Sequence, residues 1–404
     1  MLYNIYSKIL VGEEQLEITG FNSLIINNNL NELTDSCTIL IPIYNLNVIN
    51  GKTLRYYTEK ETLEINIGDK ITVELKVYKD LKELETINKY THSKYFTGYI
   101  KTFNQVNDAL EIICDDLMYL FKKTKLSVSE KVISLSDLIN YVTSESKIDT
   151  TSYVKNYETE AEISLGKFKT EGFVNGAEIF RQIKDQYKYF CYFKNVISNS
   201  GRNIVSTPHF IAGLKYPVAN ADRFNRTINF MYPYSLENND PKSREYFNPM
   251  FNNNLDYVNF DKTKDLIVLG VTTNSKTLET RKYATIDGKK ILINGDKDDK
   301  KKIDDEANKR LLRIDFNINN IEAKLLQDLI LEKWNTYPTS GFTGSFTIAG
   351  EPYVNIMDKV RININTGIGV DEFIEEVYFV DAVKTVVNET SGFTQEITLG
   401  NKVI

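Results

Sequence analysis

The feature that most restricts the fold is a strict two-residue alternation that appears twice in similar surroundings. Ile71, Val73, Leu75 and Val77 are apolar, with Thr72, Glu74 and Lys76 between them. Towards the other end, Val360, Ile362 and Ile364 alternate with Arg361 and Asn363. Side chains on a strand point to opposite faces in turn, so this spacing marks a strand with one buried face. Leu110, Ile112 and Cys114 read the same way. With 25 Tyr and 21 Phe the chain is rich in residues that favour strands, so the expected class is mainly β with some helix.

The alternating segments belong to an internal repeat. Asp69-Lys70-Ile71-Thr72-Val73-Glu74-Leu75 matches Asp358-Lys359-Val360-Arg361-Ile362-Asn363-Ile364, and Ile67 and Ile356 lie two places ahead. Further on, Phe96-Thr97-Gly98-Tyr99-Ile100-Lys101-Thr102-Phe103 matches Phe379-Val380-Asp381-Ala382-Val383-Lys384-Thr385-Val386. Each copy ends in an alternating strand, at Leu110–Cys114 and Phe393–Leu399. Two matches in order imply a duplicated β-barrel, with edges covered by closure or by oligomer contacts.

Between the copies the character changes. Ser134 and Asp137 have capping spacing ahead of Leu138, Ile139 and Val142, and a second helix begins near Asn175 with Glu178 three residues on. The run Tyr189–Phe193 reads as a buried strand. Residues 200–260 carry five prolines in an Asn-rich stretch and read as strands with long loops. The charged segment 296–309 places Lys301 and Ala307 where a calcium loop needs Gly and Glu, so it reads as a hairpin tip or helix start. Leu312–Ile318 alternates as a strand. Asn319 and Glu322 then open a helix whose apolar face carries Ile321, Leu325, Leu326, Leu329, Ile330 and Trp334. The expected division is a first barrel at 1–126, an α/β insert at 127–199, and strands, long loops and a charged hairpin at 200–310, partly belonging to the second barrel. The second barrel with its packed helix follows at 311–404.

Chemistry is sparse. Cys37, Cys114 and Cys191 are isolated, so no disulfide framework or zinc site is expected. No phosphate-cradling glycine loop and no nucleophile-elbow serine occurs, so a catalytic triad built on His92 or His209 is not expected. Asp115 and Asp116 are strand neighbours that point to opposite faces, which suits a turn or helix cap better than paired acid–base work. No cofactor or metal is expected, and the chain does not read as an enzyme. A formal charge of -6 argues against a surface that holds nucleic acid by its phosphates, yet suits a wall that nucleic acid slides past. No apolar run approaches the length of a membrane span, so stable membrane insertion is not expected.

Three segments carry a resemblance to a known family. Leu33-Thr34-Asp35-Ser36-Cys37-Thr38-Ile39-Leu40-Ile41-Pro42 resembles the early strand of tail-tube and hub barrels. Phe96-Thr97-Gly98-Tyr99-Ile100 followed by Ile112-Ile113-Cys114-Asp115-Asp116-Leu117 resembles a hub strand and its acidic turn. Ser391–Gly400 resembles a closing strand. Together they resemble the phage baseplate hub family: gp27-like and late-control D-like proteins and the hub part of VgrG spikes. The resemblance covers most of 1–126 and 311–404.

That resemblance implies two tail-tube-like β-barrels in one chain with a small α/β insert between them. It implies a homotrimer, whose six barrels adapt a hexameric tail tube to a trimeric central spike. Its partners would be the tail tube protein and the central spike protein, with tape measure and baseplate wedge proteins nearby, and nucleic acid only in transit. The setting would be a virion tail or baseplate assembled in the host cytoplasm, with the spike expected on another polypeptide because the chain stops at Ile404. Glu74 and Asn363 hold equivalent places in the two copies and are the candidate channel-facing residues. Leu325, Leu329 and Trp334 are expected to pack the helix on the second barrel. The competing readings are a receptor- or carbohydrate-binding tail protein, presenting Tyr232, Tyr234, Tyr246 and Phe251, and a wall-degrading tail enzyme.

Overall fold

The computed structural model describes residues 4–12, 16–18, 20–43, 46–49, 53–57, 62–78, 93–146, 153–157, 164–187, 189–200, 203–214, 227–232, 248–258, 261–273, 280–286, 289–293, 305, 309–310, 312–318, 323–337, 340–350, 352–365 and 373–403. His92, Tyr234, Tyr246, Asn319, Ile321, Glu322 and most of 296–309 lie outside them.

The principal elements are labelled in chain order. The first copy supplies β1 (Asn4–Val11), β2 (Ser23–Asn29), β3 (Ser36–Pro42), β4 (Lys70–Tyr78), β5 (Ser93–Val106) and β6 (Ala109–Asp116). There follow α1 (Met118–Lys123), α2 (Leu135–Glu145), α3 (Gly176–Tyr187), β7 (Tyr189–Ser200) and β8 (Asn203–Leu214). The second copy begins with β9 (Thr227–Tyr232) and β10 (Asn252–Val258). After β11 (Leu266–Thr273), β12 (Leu312–Asn317) and α4 (Ala323–Thr336) it resumes with β13 (Gly341–Ala349), β14 (Lys359–Asn365), β15 (Phe373–Asn388) and β16 (Gly392–Lys402).

Strand order shows the duplication directly. The first copy runs β1-β4-β5-β6-β3-β2, and the second runs β9-β14-β15-β16-β13-β10. Each strand has the same neighbours and the same rank along the chain. One difference stands out: β1 is antiparallel to β4, whereas β9 is parallel to β14. The copies join where β2 pairs antiparallel with the second half of β15, giving one fourteen-stranded sheet. The ladders among the described residues record this joined sheet and no closed barrel.

The hydrogen bonds repeat as well. Asp69 Oδ2 accepts from Asn66 N at 2.7 Å, and Asp358 Oδ2 accepts from Asn355 N at 2.9 Å. Gly68 and Met357, both at positive φ, donate to the carbonyls of Ile100 and Val380. Ile100 and Val380 in turn donate to the carbonyls of Asp69 and Asp358. Each hairpin then has an extra residue in its longer strand, Lys101 between Ile100 and Thr102, and Asp381 between Val380 and Ala382.

This register corrects one sequence match. Lys70 pairs with Tyr99 and Lys359 pairs with Phe379, so Phe379 occupies the place of Tyr99, not of Phe96. Period-two patterns look alike at many offsets, and a β-bulge shifts the phase by one residue, so a string match read across it can take the wrong offset. The first match, Asp69–Leu75 on Asp358–Ile364, holds in the ladder.

Packing follows the alternation. Ile71, Val73 and Leu75 are fully buried, as are Val360 and Ile362, each set in the core of its own lobe. Burying one such side chain contributes roughly 1.5–3 kcal/mol. Gly98 is required where β5 crosses β6: a Cβ there would lie 2.2 Å from the Asp115 carbonyl oxygen. In the insert, Asp137 N donates to Ser134 Oγ at 3.1 Å and Glu178 N to Asn175 Oδ1 at 2.8 Å, so both expected caps form.

The segment 311–337 differs from expectation. β12 pairs in parallel with β11, in a separate four-stranded sheet with Thr280–Ile286 and Lys289–Ile293. Helix α4 covers that sheet, with Leu326 and Ile330 fully buried and Trp334 close to it. All three share a core with insert residues such as Phe180 and Phe193 rather than with the second lobe. An amphipathic stripe reports that a helix has a buried face and says nothing about which sheet lies beneath it.

Candidate functional site: the junction of the two lobes

The expected channel residues occupy matching places. Glu74 on β4 stands opposite Tyr95, and Asn363 on β14 stands opposite Glu375. Both alternate with fully buried neighbours, so both lie on the face away from the core. Glu74 is an ion-pair partner of Lys76 at 2.6 Å and accepts from the Tyr95 hydroxyl at 2.6 Å. Asn363 Oδ1 is buried and has no hydrogen-bond partner among the described residues. Of the helix residues, Leu329 is half-buried against the insert core, Trp334 is buried, and the side chain of Leu325 lies outside the described residues.

Other polar groups cluster where three parts of the chain meet. Lys94 on β5 is buried, and its Nζ donates to Val354 O at 3.2 Å and to Asn355 Oδ1 at 3.1 Å in the turn of the second copy. Lys194 on β7 lies 3.9 Å from Asp358 in the same turn. Asn195 donates to the Tyr95 carbonyl at 3.3 Å. Lys94, Tyr95, Lys194, Asn195 and Asn355 line a cavity of about 30 Å³ together with Asn28, Asp35 and Phe193. That is room for about one water, not for a substrate. These contacts tie β5 and β7 to the turn of the second copy.

Asp35 ties this joint to the seam between β2 and β15. Its Oδ1 accepts from Asn29 N at 3.0 Å, and its Oδ2 accepts from Asn28 Nδ2 at 2.7 Å. Asn28 and Asn29 pair directly with Val383 and Ala382. Asp116 N donates to the Asp35 carbonyl at 2.9 Å, while Asp116 Oδ1 accepts from the N–H of Met118, the first residue of α1. Burial raises the Asp35 carboxyl to about 6, against the pull of its two donors and of Lys94. Burial also raises Asp116, and the neighbouring Asp35 adds to the rise. Asp115 points elsewhere, to Lys122 at 2.7 Å and Lys101 at 3.5 Å. The two neighbours thus take separate structural roles, as their strand positions imply.

Sequence reasoning missed Asp35 and Lys94 as junction residues. Asp35 appeared only within the strand-like segment Leu33–Pro42, and nothing in a single sequence shows that Lys94 meets Asn355. Among the described residues no group of His, Cys, Asp and Glu could hold a metal ion. The three cysteines are buried, which pushes each thiol above its ordinary value. Among the described residues no helix is long and apolar enough to cross a membrane.

No family model and no curated protein matches the sequence. Solved structures match its fold over nearly the whole chain. The tail protein from Neisseria meningitidis MC58 is 10% identical with a TM-score of 0.52, covering 98% of this chain and 96% of that one. The 43 kDa tail protein of prophage MuSo2 from Shewanella oneidensis is 11% identical with a TM-score of 0.50, covering 98% of both chains. A Francisella PdpA–VgrG complex is 12% identical with a TM-score of 0.50, covering 99% of this chain and 58% of that one. The fold is that of phage tail proteins and VgrG, the kind that the sequence resemblance named.

Proposed function

We propose that the chain is the structural baseplate hub of a phage tail or a phage-like contractile injection system, and not an enzyme. The observation that carries this reading is the duplication: two lobes with one strand order, one turn and one bulge, joined in a single sheet. A duplicated unit converts threefold symmetry into pseudo-sixfold symmetry. Three copies would present six tube-like barrels to a hexameric tail tube and threefold symmetry to a central spike. The polar joint at Lys94, Asp35 and Asn355 would hold the two lobes at a fixed angle, as an adaptor requires. Tail tube and spike proteins would be its neighbours, with tape measure and wedge proteins close by, in a virion baseplate assembled in the host cytoplasm.

In the ring, Glu74 and Asn363 would face the lumen, and genome or effector would pass a neutral to acidic wall that does not bind phosphates. Electron microscopy of the purified chain, alone and with its tail tube protein, tests the reading. The expected image is a ring of three copies with six lobes around an open centre. A ring whose centre is closed by apolar packing, or whose lumen is strongly basic, would transfer the weight to a receptor-binding tail protein.

A further inference from the structure

Among the described residues the two most exposed large hydrophobic side chains are Phe173 at 79% and Val132 at 71%, and both belong to the insert. They sit on one two-stranded ribbon. Lys125 and Leu126 pair antiparallel with Asn175 and Val174, and Lys131 and Val132 pair antiparallel with Phe168 and Lys167. Between these short ladders Thr170 N donates to the Val128 carbonyl and Val128 N to Thr170 Oγ1, each at 3.0 Å, so the two strands run on together. One side of the ribbon serves the fold: Leu126, Val128 and Phe168 are buried in the insert core.

The solvent side mixes apolar and cationic groups. Lys125, Lys131, Lys167 and Lys169 are exposed along with Val132 and Phe173. Lys167 is paired with Glu130 at 2.6 Å, while Lys125, Lys131 and Lys169 have no ion-pair partner among the described residues. Lys131 Nζ lies 5.3 Å from the centre of the Tyr141 ring, and the Tyr141 hydroxyl donates to the Ser127 carbonyl at 3.1 Å, which ties α2 to the ribbon. A single exposed hydrophobic side chain is ordinary. Here two of them lie about 17 Å apart along one ribbon with lysines between them. In a chain of net charge -6 this is a local surface of the opposite sign.

We propose that the ribbon is a docking surface for an acidic, extended segment of a second protein, which seats one apolar side chain at Phe173 and another at Val132 and sets carboxylates against Lys131 and Lys169. Charge complementarity selects this occupant. Glu130 and Glu171 are exposed on the same ribbon, so a continuous phosphate backbone would meet repulsion that separate carboxylates avoid. Aliphatic Val132 offers no stacking platform for a base but packs an apolar side chain. The span fits roughly six residues of extended chain. The surface is built from residues 125–175 and from none of the duplicated strands, so its occupancy does not depend on the hub reading.

Fluorescence anisotropy of the full chain with labelled peptides about ten residues long tests this. The acidic probes carry two leucines four, five or six positions apart, with aspartate and glutamate between them. Matched sets replace the acids by asparagine and glutamine, or by lysine. The acidic set should bind about tenfold tighter than the neutral set, and the preference should shrink as salt rises. Lys131→Glu with Lys169→Glu should reverse the preference, so that the lysine set binds best, which an unfolded variant would not do. Phe173→Ser should weaken the acidic set by about tenfold and leave the melting temperature unchanged, because this side chain supports no core. Equal binding of acidic and neutral sets, or binding by none, overturns the proposal. Acidic binding that survives both Phe173→Ser and the charge reversal places the site elsewhere and also overturns it. Tighter binding of a thymidine oligonucleotide than of any acidic peptide, lost on charge reversal, overturns it in favour of nucleic acid. Copies of the chain that associate in light scattering and separate on Phe173→Ser give the surface to a second copy instead.

Discussion

Asp35 offers a stability change whose sign and pH window follow from the geometry. In the folded chain its carboxyl holds a proton up to about pH 6, whereas the ordinary value is 3.8. Between those values the folded state binds more protons than the unfolded state, so stability falls as pH rises through that window. The full difference corresponds to roughly 3 kcal/mol, and burial is its largest cause. Asp35→Asn removes the charge and keeps the hydrogen bonds. The new Oδ1 can accept from Asn29 N, and once the Asn28 amide turns over, the new amide can donate to Asn28 Oδ1, which has no partner now among the described residues. The variant should gain about 1–3 kcal/mol over wild type at pH 8 and almost nothing at pH 4. Urea unfolding followed by circular dichroism at both pH values reads this difference, and comparing variant with wild type at each pH cancels the other titrating groups. A variant destabilised equally at both pH values would show that the carboxylate's hydrogen bonds outweigh its burial, and the argument would fail.

Other substitutions test the packing. Leu326→Ala should cost about 2–5 kcal/mol, because this fully buried side chain anchors α4 on β11, and half-buried Leu329→Ala should cost less; thermal denaturation ranks the two. Gly270→Ala would bring a Cβ to 2.9 Å from both Leu326 and Ile330, and should cost about 1–3 kcal/mol in the same assay. Gln395 is fully buried, donates to the carbonyls of Gly350 and Pro352 and accepts from Val354 N. Gln395→Leu strands those backbone groups, so it should lose about 2–4 kcal/mol and increase hydrogen exchange at Val354.

Much of this protein was legible in its sequence, and for definite reasons. Period-two alternation is a local property, so the strands at 70–78, 109–116 and 359–365 could be read from their own residues. Helix caps are equally local, and Ser134 and Asn175 bond as their spacing implies. The duplication was visible because its two turns keep Asn-Ile-x-Asp-Lys, whose Asp closes the turn with its own side chain in both copies.

What the sequence left open is whatever depends on which surfaces meet. Residues 96–103 and 379–386 matched at the wrong offset, because only the hydrogen-bonded ladder locates the bulge that sets the phase. The stripe on α4 was visible, but the sheet it covers comes from Leu266–Thr273, separated from it by a charged stretch, and a stripe does not name its partner. Lys94, Asp35 and Asn355 are unremarkable in sequence and meet only because the copies fold against one another. Their chemistry arises from proximity and burial, which are properties of the assembled fold. A strand's pattern gives its faces, while its neighbours are decided by the tertiary structure.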